Sequence, residues 1–191
     1  MQSDKKEETI GYSMWLDTLD GLPEVVLPDG YTIRTSREGD GFHWGRILRE
    51  SFKEEKYDEG EYKRILLDDP AYRADRIFFG CTPKGVPCAT ASAYRKDRYG
   101  PDAGYLHYLA VRPAEGGKGL GKAMVLTVLH KFRDDGLACA ALDTQHYRLP
   151  AINLYLQLGF RPLLTDADEK VWESWCSTFA RLGRELPEGL K

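Results

Sequence analysis

The hydrophobic period of the chain changes between Val111 and Leu120, and that seam constrains how the rest can fold. Before it, Tyr105 to Val111 reads as a β-rich strand. After it, Leu120, Met124, Val125, Val128, Leu129 and Phe132 recur at helical spacing, and Gly136 is a natural stop. Four glycines fall within the six positions from Gly116 to Gly121, more than a plain tight turn needs. Glycine leaves backbone N–H groups uncovered, and a helix start adds unpaired donors and the positive end of its dipole. The segment is suited to hold a phosphate or diphosphate, with Lys118 and Lys122 as nearby point charges.

The flanking text is patterned too. Short strands are expected at 12–16 and 31–35, the second carried by Tyr31-Thr32-Ile33-Arg34-Thr35. Asp40 is placed to cap a helix carrying Phe42, Ile47, Leu48 and Phe52. Asp58-Glu59-Gly60-Glu61 has the spacing of a capping box ahead of Tyr62, Ile65 and Leu66. Two β-rich runs, 76–82 and 87–96, are joined by Pro83-Lys84-Gly85 as a hairpin. Leu137 to Thr144 reads as a central strand, and 160–164 as a short one. Between them Pro150 opens a helix through Ile152, Leu154, Tyr155 and Leu158 that Gly159 ends. A last helix over 166–183 starts at Asp166-Ala167-Asp168-Glu169 and carries Trp172, Trp175, Phe179 and Leu182. Strands first and a β-α-β crossover later give an α+β fold, a mixed and mostly antiparallel sheet flanked by helices.

At 191 residues one domain is the default: a charged tail over 1–9, then a single domain over 10–191 with its core at 31–164. With 27 Lys+Arg against 30 Asp+Glu there is no basic excess of the kind a nucleic-acid binder carries. The longest apolar run, Leu137 to Leu142, has six residues, far short of the roughly 18 a membrane span requires. No apolar stretch follows the charges of 1–8, so no signal peptide is expected and the cytoplasm is the expected compartment. Cys81, Cys88, Cys139 and Cys176 lack metal-ligand spacing with the four histidines, so no metal is expected. They read as small buried hydrophobes, although Cys81 and Cys88 stand where a redox pair across the hairpin would form.

Two phosphate-binding patterns compete for the glycine loop. Gly116 to Lys122 satisfies G-x-x-x-x-G-K, and Cys139-Ala140-Ala141-Leu142-Asp143 imitates the strand and acid of a nucleotide hydrolase. Ala123, however, stands where that motif needs a hydroxyl for Mg²⁺, and the loop follows antiparallel strands. The second pattern covers far more of the chain. Val111-x-Pro113-x-x-Gly116-Gly117-Lys118-Gly119-Leu120-Gly121 before a long helix resembles motif A of the GNAT superfamily of acyl-CoA-dependent N-acetyltransferases. Ala151-Ile152-Asn153-Leu154-Tyr155-Leu156-Gln157-Leu158-Gly159-Phe160 resembles its motif B, A-x-x-L-Y-x-x-x-G-F. The resemblance runs from Tyr31 to Leu164. It departs at Gly116, where the family usually has Arg or Gln, and at Arg148, where it often has Asn. The tryptophan-bearing helix also replaces a further strand.

The resemblance implies acetyl-CoA as co-substrate. Its diphosphate would lie on Gly116, Gly117, Lys118, Gly119, Leu120, Gly121 and Lys122, and its pantetheine beside Leu109, Ala110 and Val111 like an added strand. Asn153 joins this coenzyme-binding set. A backbone N–H of the strand would receive the thioester oxygen as it becomes an oxyanion. Tyr155, the motif B tyrosine, is the expected acid for the departing thiolate. An alkyl ammonium near pKa 10.4 costs roughly 4–5 kcal/mol to present as a nucleophile at pH 7, so a base is wanted. Tyr105 stands where histone-modifying members carry Glu, which leaves His107 on the same strand face as the candidate, and His146 as a lesser one. Eight acids against four bases between Glu50 and Asp69 form either an acidic rim for a cationic amine or simply solvated helix faces. The expected function is acetyl transfer to a small-molecule or peptide amine in a ternary complex. No nucleic-acid or membrane partner is expected, and a homodimer is allowed. The alternative is a CoA-binding regulatory module of the same fold that has lost turnover.

Overall fold

An antiparallel meander forms where the sequence is richest in aromatic and small apolar residues. The computed structural model describes residues 9–70, 73–164 and 169–187, so the expected tail before Thr9 and the helix-opening Asp166-Ala167-Asp168 lie outside the described residues. Two compact units result: Thr18–Ala140, and the two chain ends through Asp17 and from Ala141 onward.

In the first unit β2 (Thr32–Thr35), β3 (Ile77–Cys81), β4 (Pro87–Tyr94) and β5 (Ala103–Val111) lie side by side in that order. The expected hairpin joins β3 to β4, closed by the Thr82 N–H on the Val86 carbonyl at 2.9 Å. One face is covered by α1 (Asp40–Phe52) and α2 (Glu59–Tyr62), the latter continuing as a π-helical turn over Lys63–Leu67. Trp44, Ile47, Leu48, Tyr62 and Leu66 are buried there against Ile77, Phe79, Cys81 and Ala110. The other face takes α3 (Leu120–Asp134). It approaches closely because β5 carries no side chain at Gly104, where a Cβ would lie 2.3 Å from the Phe132 ring.

Two local expectations change. Asp40 does not cap α1; the cap is Gly39, in left-handed conformation, and Asp40 is the first helical residue. Its buried carboxylate instead accepts both Arg34 nitrogens, at 2.6 and 2.8 Å, and the Arg37 N–H at 2.7 Å. A guanidinium fork satisfies a buried carboxylate better than one helix N–H can. Phe42 is also not on the packed face, being 57% exposed, and Trp44 takes that role. Asp58 does cap α2, accepting from the Glu61 N–H at 2.8 Å.

In the second unit β6 (Cys139–Gln145, belonging to this unit from Ala141 onward), β1 (Gly11–Leu16) and β7 (Arg161–Pro162) are neighbours in that order, with Met14 opposite Pro162. Here α4 (Leu149–Gln157) and α5 (Glu169–Arg181) are the helices. The aromatic stripe of α5 is core: Trp175 stacks on Tyr12 with ring centroids 3.8 Å apart, and the Tyr12 hydroxyl meets Ser174 and Thr178 at 2.6 and 2.9 Å. The α+β class, the mostly antiparallel pairing and the added C-terminal helix are those the sequence predicts.

Candidate functional site

The glycine loop has the construction its composition implies. After β5, Arg112 donates its N–H to the Cys88 carbonyl at 2.9 Å, and Pro113–Glu115 forms one tight helical turn. Gly117 and Gly119 then adopt φ of 74° and 84°, a region L side chains resist. Gly119 is the N-cap of α3 and has no side chain to accept from the helix. The N–H groups of Leu120, Gly121 and Lys122 are therefore the unpaired donors of a helix start. A Cβ built at Gly117 or Gly119 would meet nothing within 4 Å, so the loop ahead of these donors has open space beside it. That cradle fits a diphosphate.

The lysines divide. Lys122 is exposed beside the donors. Lys118 is not an uncommitted charge: its ammonium lies 2.7 Å from the Glu115 carboxylate and 3.0 Å from the Tyr31 hydroxyl. Tyr31 also donates to Glu115. Glu115 and then Tyr31 hold the Lys118 ammonium above its ordinary range, and Lys118 and Tyr31 hold the Glu115 carboxyl below its own. Sequence reasoning missed this cluster because Tyr31 comes from far upstream. Only the Glu115–Lys118 spacing, one helical turn, was available to signal it.

Just before the loop, β5 bulges. Thr90 pairs with Ala110 but Ser92 pairs with His107, so Tyr108 and Leu109 together face Ala91. Tyr108 takes φ 50°, one of two non-glycine residues with positive φ among those described. A bulge interrupts the ladder and re-aims side chains, which the simple alternation of 105, 107 and 109 could not show. His107 and Tyr108 thus become ring neighbours, with centroids 4.1 Å apart. Tyr105 and Tyr94 flank His107 at 5.2 and 5.4 Å, and Tyr108 edges onto Trp44 at 5.2 Å. His107, half-buried among three tyrosines, is the imidazole nearest the bulge in the chain. The Lys96 ammonium lies over the Tyr105 ring at 4.0 Å and donates to its hydroxyl at 2.8 Å.

The chain's own motif B residues lie in the other unit. Tyr155 is buried on α4, its ring edge-on to Phe160 at 5.9 Å. Burial pushes its phenol well above the ordinary tyrosine range, opposed only in part by Arg148. The Asn153 side-chain oxygen accepts from Arg184 at 3.0 Å. His146 Nδ1 accepts the Ile10 N–H at 3.1 Å, and the His146 backbone N–H donates to the Ile10 carbonyl at 3.0 Å, which gives this residue a structural task next to β1.

These motifs match a family model, that of the acetyltransferase (GNAT) family, over residues 43–160. The chain belongs to the GNAT acetyltransferase family. It is 33% identical over 151 residues to mycothiol acetyltransferase of Thermomonospora curvata, covering 76% of this chain and 49% of that protein. It is 31% identical over 157 residues to that of Nocardia farcinica, covering 76% and 50%. The chain spans about half the length of these curated relatives. A GCN5-related N-acetyltransferase from Sphaerobacter thermophilus shares the fold, with TM-score 0.68 at 19% identity, over 81% of this chain and 49% of that one.

Two further expectations, on the acids and on the cysteines, bear on this GNAT chain. Among the described residues, three of the eight acids between Glu50 and Asp69 are held in ion pairs: Glu50 with Arg46 and Arg112 from outside the stretch, Glu54 with Lys56 and Glu61 with Arg64 within it. Of these pairs, only those of Glu50 bring in positive charge that the count over this stretch leaves out. A groove of about 460 Å³ along α1 is lined by Phe42, Arg46, Arg49, Glu50 and Glu55, mixing both signs. The four cysteines are free, and Cys81, Cys88 and Cys139 are buried; burial pushes the Cys88 thiol up to about 11, so it is a packing residue.

Proposed function

We propose that this chain is an N-acetyltransferase moving the acetyl group of acetyl-CoA to a primary amine by direct attack in a ternary complex. The observation that carries the reading is the uncapped start of α3 behind two left-handed glycines, a bare set of N–H donors suited to a diphosphate. Coenzyme held there would lay its pantetheine along Leu109, Ala110 and Val111, beyond the bulge that interrupts the β4–β5 ladder. The interruption frees backbone donors at Tyr108 and Leu109, and one of them would take the thioester oxygen as its negative charge grows.

The chemistry then balances with few groups. The amine lone pair attacks the carbonyl carbon, the new C–N bond forms, the C–S bond breaks, and the thiolate leaves. The ammonium first gives one proton to His107 or through water to solvent; Tyr155 gives the thiolate its proton and regains one from the N–H that the nitrogen loses as it becomes an amide. Burial keeps Tyr155 protonated at neutral pH but makes it a weaker acid, so positioning against the departing sulfur has to carry the proton transfer. Small-molecule and peptide amines both belong in the substrate library.

The deciding assay is thiol release from acetyl-CoA with and without a panel of amines. Amine-dependent release supports the transferase. Tight coenzyme binding without release from any amine would make the chain a CoA-binding module. Failure to bind coenzyme would remove both.

A further inference from the structure

The last turn of α1 reaches across to the strand that would carry the coenzyme, and nothing in the motifs accounts for it. Ser51 Oγ donates to the Val111 carbonyl at 2.8 Å, across 60 residues of sequence. Its neighbour Glu50 accepts from Arg112 Nε at 2.7 Å, across 62 residues. The two bonds grip consecutive residues at the point where β5 gives way to the phosphate loop. Arg46 holds the other Glu50 oxygen at 2.9 Å, so the carboxylate is fixed from both sides. Arg112 and, less strongly, Arg46 keep that carboxyl below its ordinary range.

The direction of the Val111 carbonyl makes the contact informative. The Arg112 N–H points at the Cys88 carbonyl on β4. In an antiparallel ladder successive residues alternate, so the N–H and C=O of Val111 point away from β4, toward the side an added strand would use. A carbonyl oxygen accepts two hydrogen bonds. Ser51 takes one and fixes the peptide plane; in the coenzyme reading the second would take the amide of a pantetheine arm.

We propose that Ser51, backed by the Glu50–Arg112 ion pair, is a positioning residue for acetyl-CoA. It sets the β5 end in the orientation that the coenzyme requires, and lowers the ordering cost of binding. This rests on the coenzyme reading above. It adds that α1, a helix outside both sequence motifs, controls coenzyme affinity through one hydroxyl.

The experiment compares wild type, Ser51→Ala and Ser51→Thr by calorimetric titration with CoA and by steady-state kinetics. Loss of one neutral hydrogen bond should raise Kd and the KM for acetyl-CoA about three- to tenfold in Ser51→Ala, with kcat within about twofold. Ser51→Thr, which keeps the hydroxyl, should return both constants close to wild type. Glu50→Gln should shift them in the same direction as Ser51→Ala. Wild-type affinity in Ser51→Ala overturns the proposal, as does equal weakening in Ser51→Thr or a fall in kcat with KM unchanged. A wild-type chain that binds no CoA overturns the functional reading itself, which separates the two failures.

Discussion

The Lys118 ammonium and the Glu115 carboxylate lie 2.7 Å apart at the mouth of the phosphate loop, and Tyr31 donates to the same carboxylate oxygen. The loop therefore carries its own anion. A diphosphate arriving at the Gly117–Gly121 donors would meet Lys118 already neutralised and Glu115 repelling it. Glu115→Gln removes that charge and releases the ammonium. The expected result is CoA binding tighter by about two- to fivefold at low ionic strength, with the gain shrinking as salt is added, because both groups are screened at the surface. Titration at two salt concentrations measures it. Weaker binding in Glu115→Gln would mean that the Tyr31–Glu115–Lys118 cluster shapes the loop more than it burdens it.

Gly119 separates backbone demand from side-chain bulk. Its φ of 84° disfavours any L side chain, yet a Cβ there meets nothing within 4 Å. Gly119→Ala should thus weaken CoA through backbone strain alone, by about tenfold. Gly119→Asp adds a negative charge at the diphosphate and should weaken it by about a further tenfold. Calorimetry of both variants tests the order; equal and undiminished affinities would move the diphosphate away from this loop.

Tyr155 is where chemistry and binding should part. Tyr155→Phe keeps the ring against Phe160 and removes the proton, so kcat should fall about a hundredfold while CoA affinity stays near wild type. Burial disfavours the phenolate, so the folded-state pKa is raised and the acid stays protonated throughout the neutral and mildly alkaline range. The wild-type kcat profile should therefore show no descending limb from Tyr155 below about pH 10, the ordinary tyrosine value. A limb near neutrality that vanishes in Tyr155→Phe would contradict the burial argument. Unchanged turnover in the variant would take Tyr155 out of the mechanism.

What was legible in the sequence was local. The strand, glycine loop and helix around Gly116–Gly121 could be read because period and glycine content are properties of adjacent residues. Asp58 at its cap was legible for the same reason. The bulge at Tyr108 was not, since it depends on the register of β5 against β4, which alternation along one strand does not encode. The Asp40 expectation failed at a similar point: an N-terminal acid fits a cap, but Arg34 competes for it and wins with two guanidinium hydrogen bonds to the buried carboxylate. The partners of Lys118 and Val111 were hidden because Tyr31 and Ser51 lie 87 and 60 residues away. Family resemblance could name Gly116 to Lys122, but not the contacts that this chain places around them.

The Arg34–Asp40 pair carries the last prediction, on stability. Burial alone would raise the Asp40 carboxyl, but the Arg34 hydrogen bonds, the Arg37 N–H and the Arg34 charge outweigh it, and the folded-state pKa lies below 3.8. A carboxyl depressed in the folded state contributes stability that is fully present above its unfolded pKa. That contribution is lost as pH falls through the folded value. Asp40→Asn leaves Arg34, 20% exposed, facing a neutral amide, and should cost about 2 kcal/mol near pH 7, less than a fully buried pair would. Melting curves of wild type and variant should be furthest apart between about pH 6 and 8 and converge below about pH 4, as protonation removes in wild type what the substitution removes outright. A gap that persists undiminished into acid would show that Asp40 holds the start of α1 through packing and its Arg37 hydrogen bond, and not through its charge.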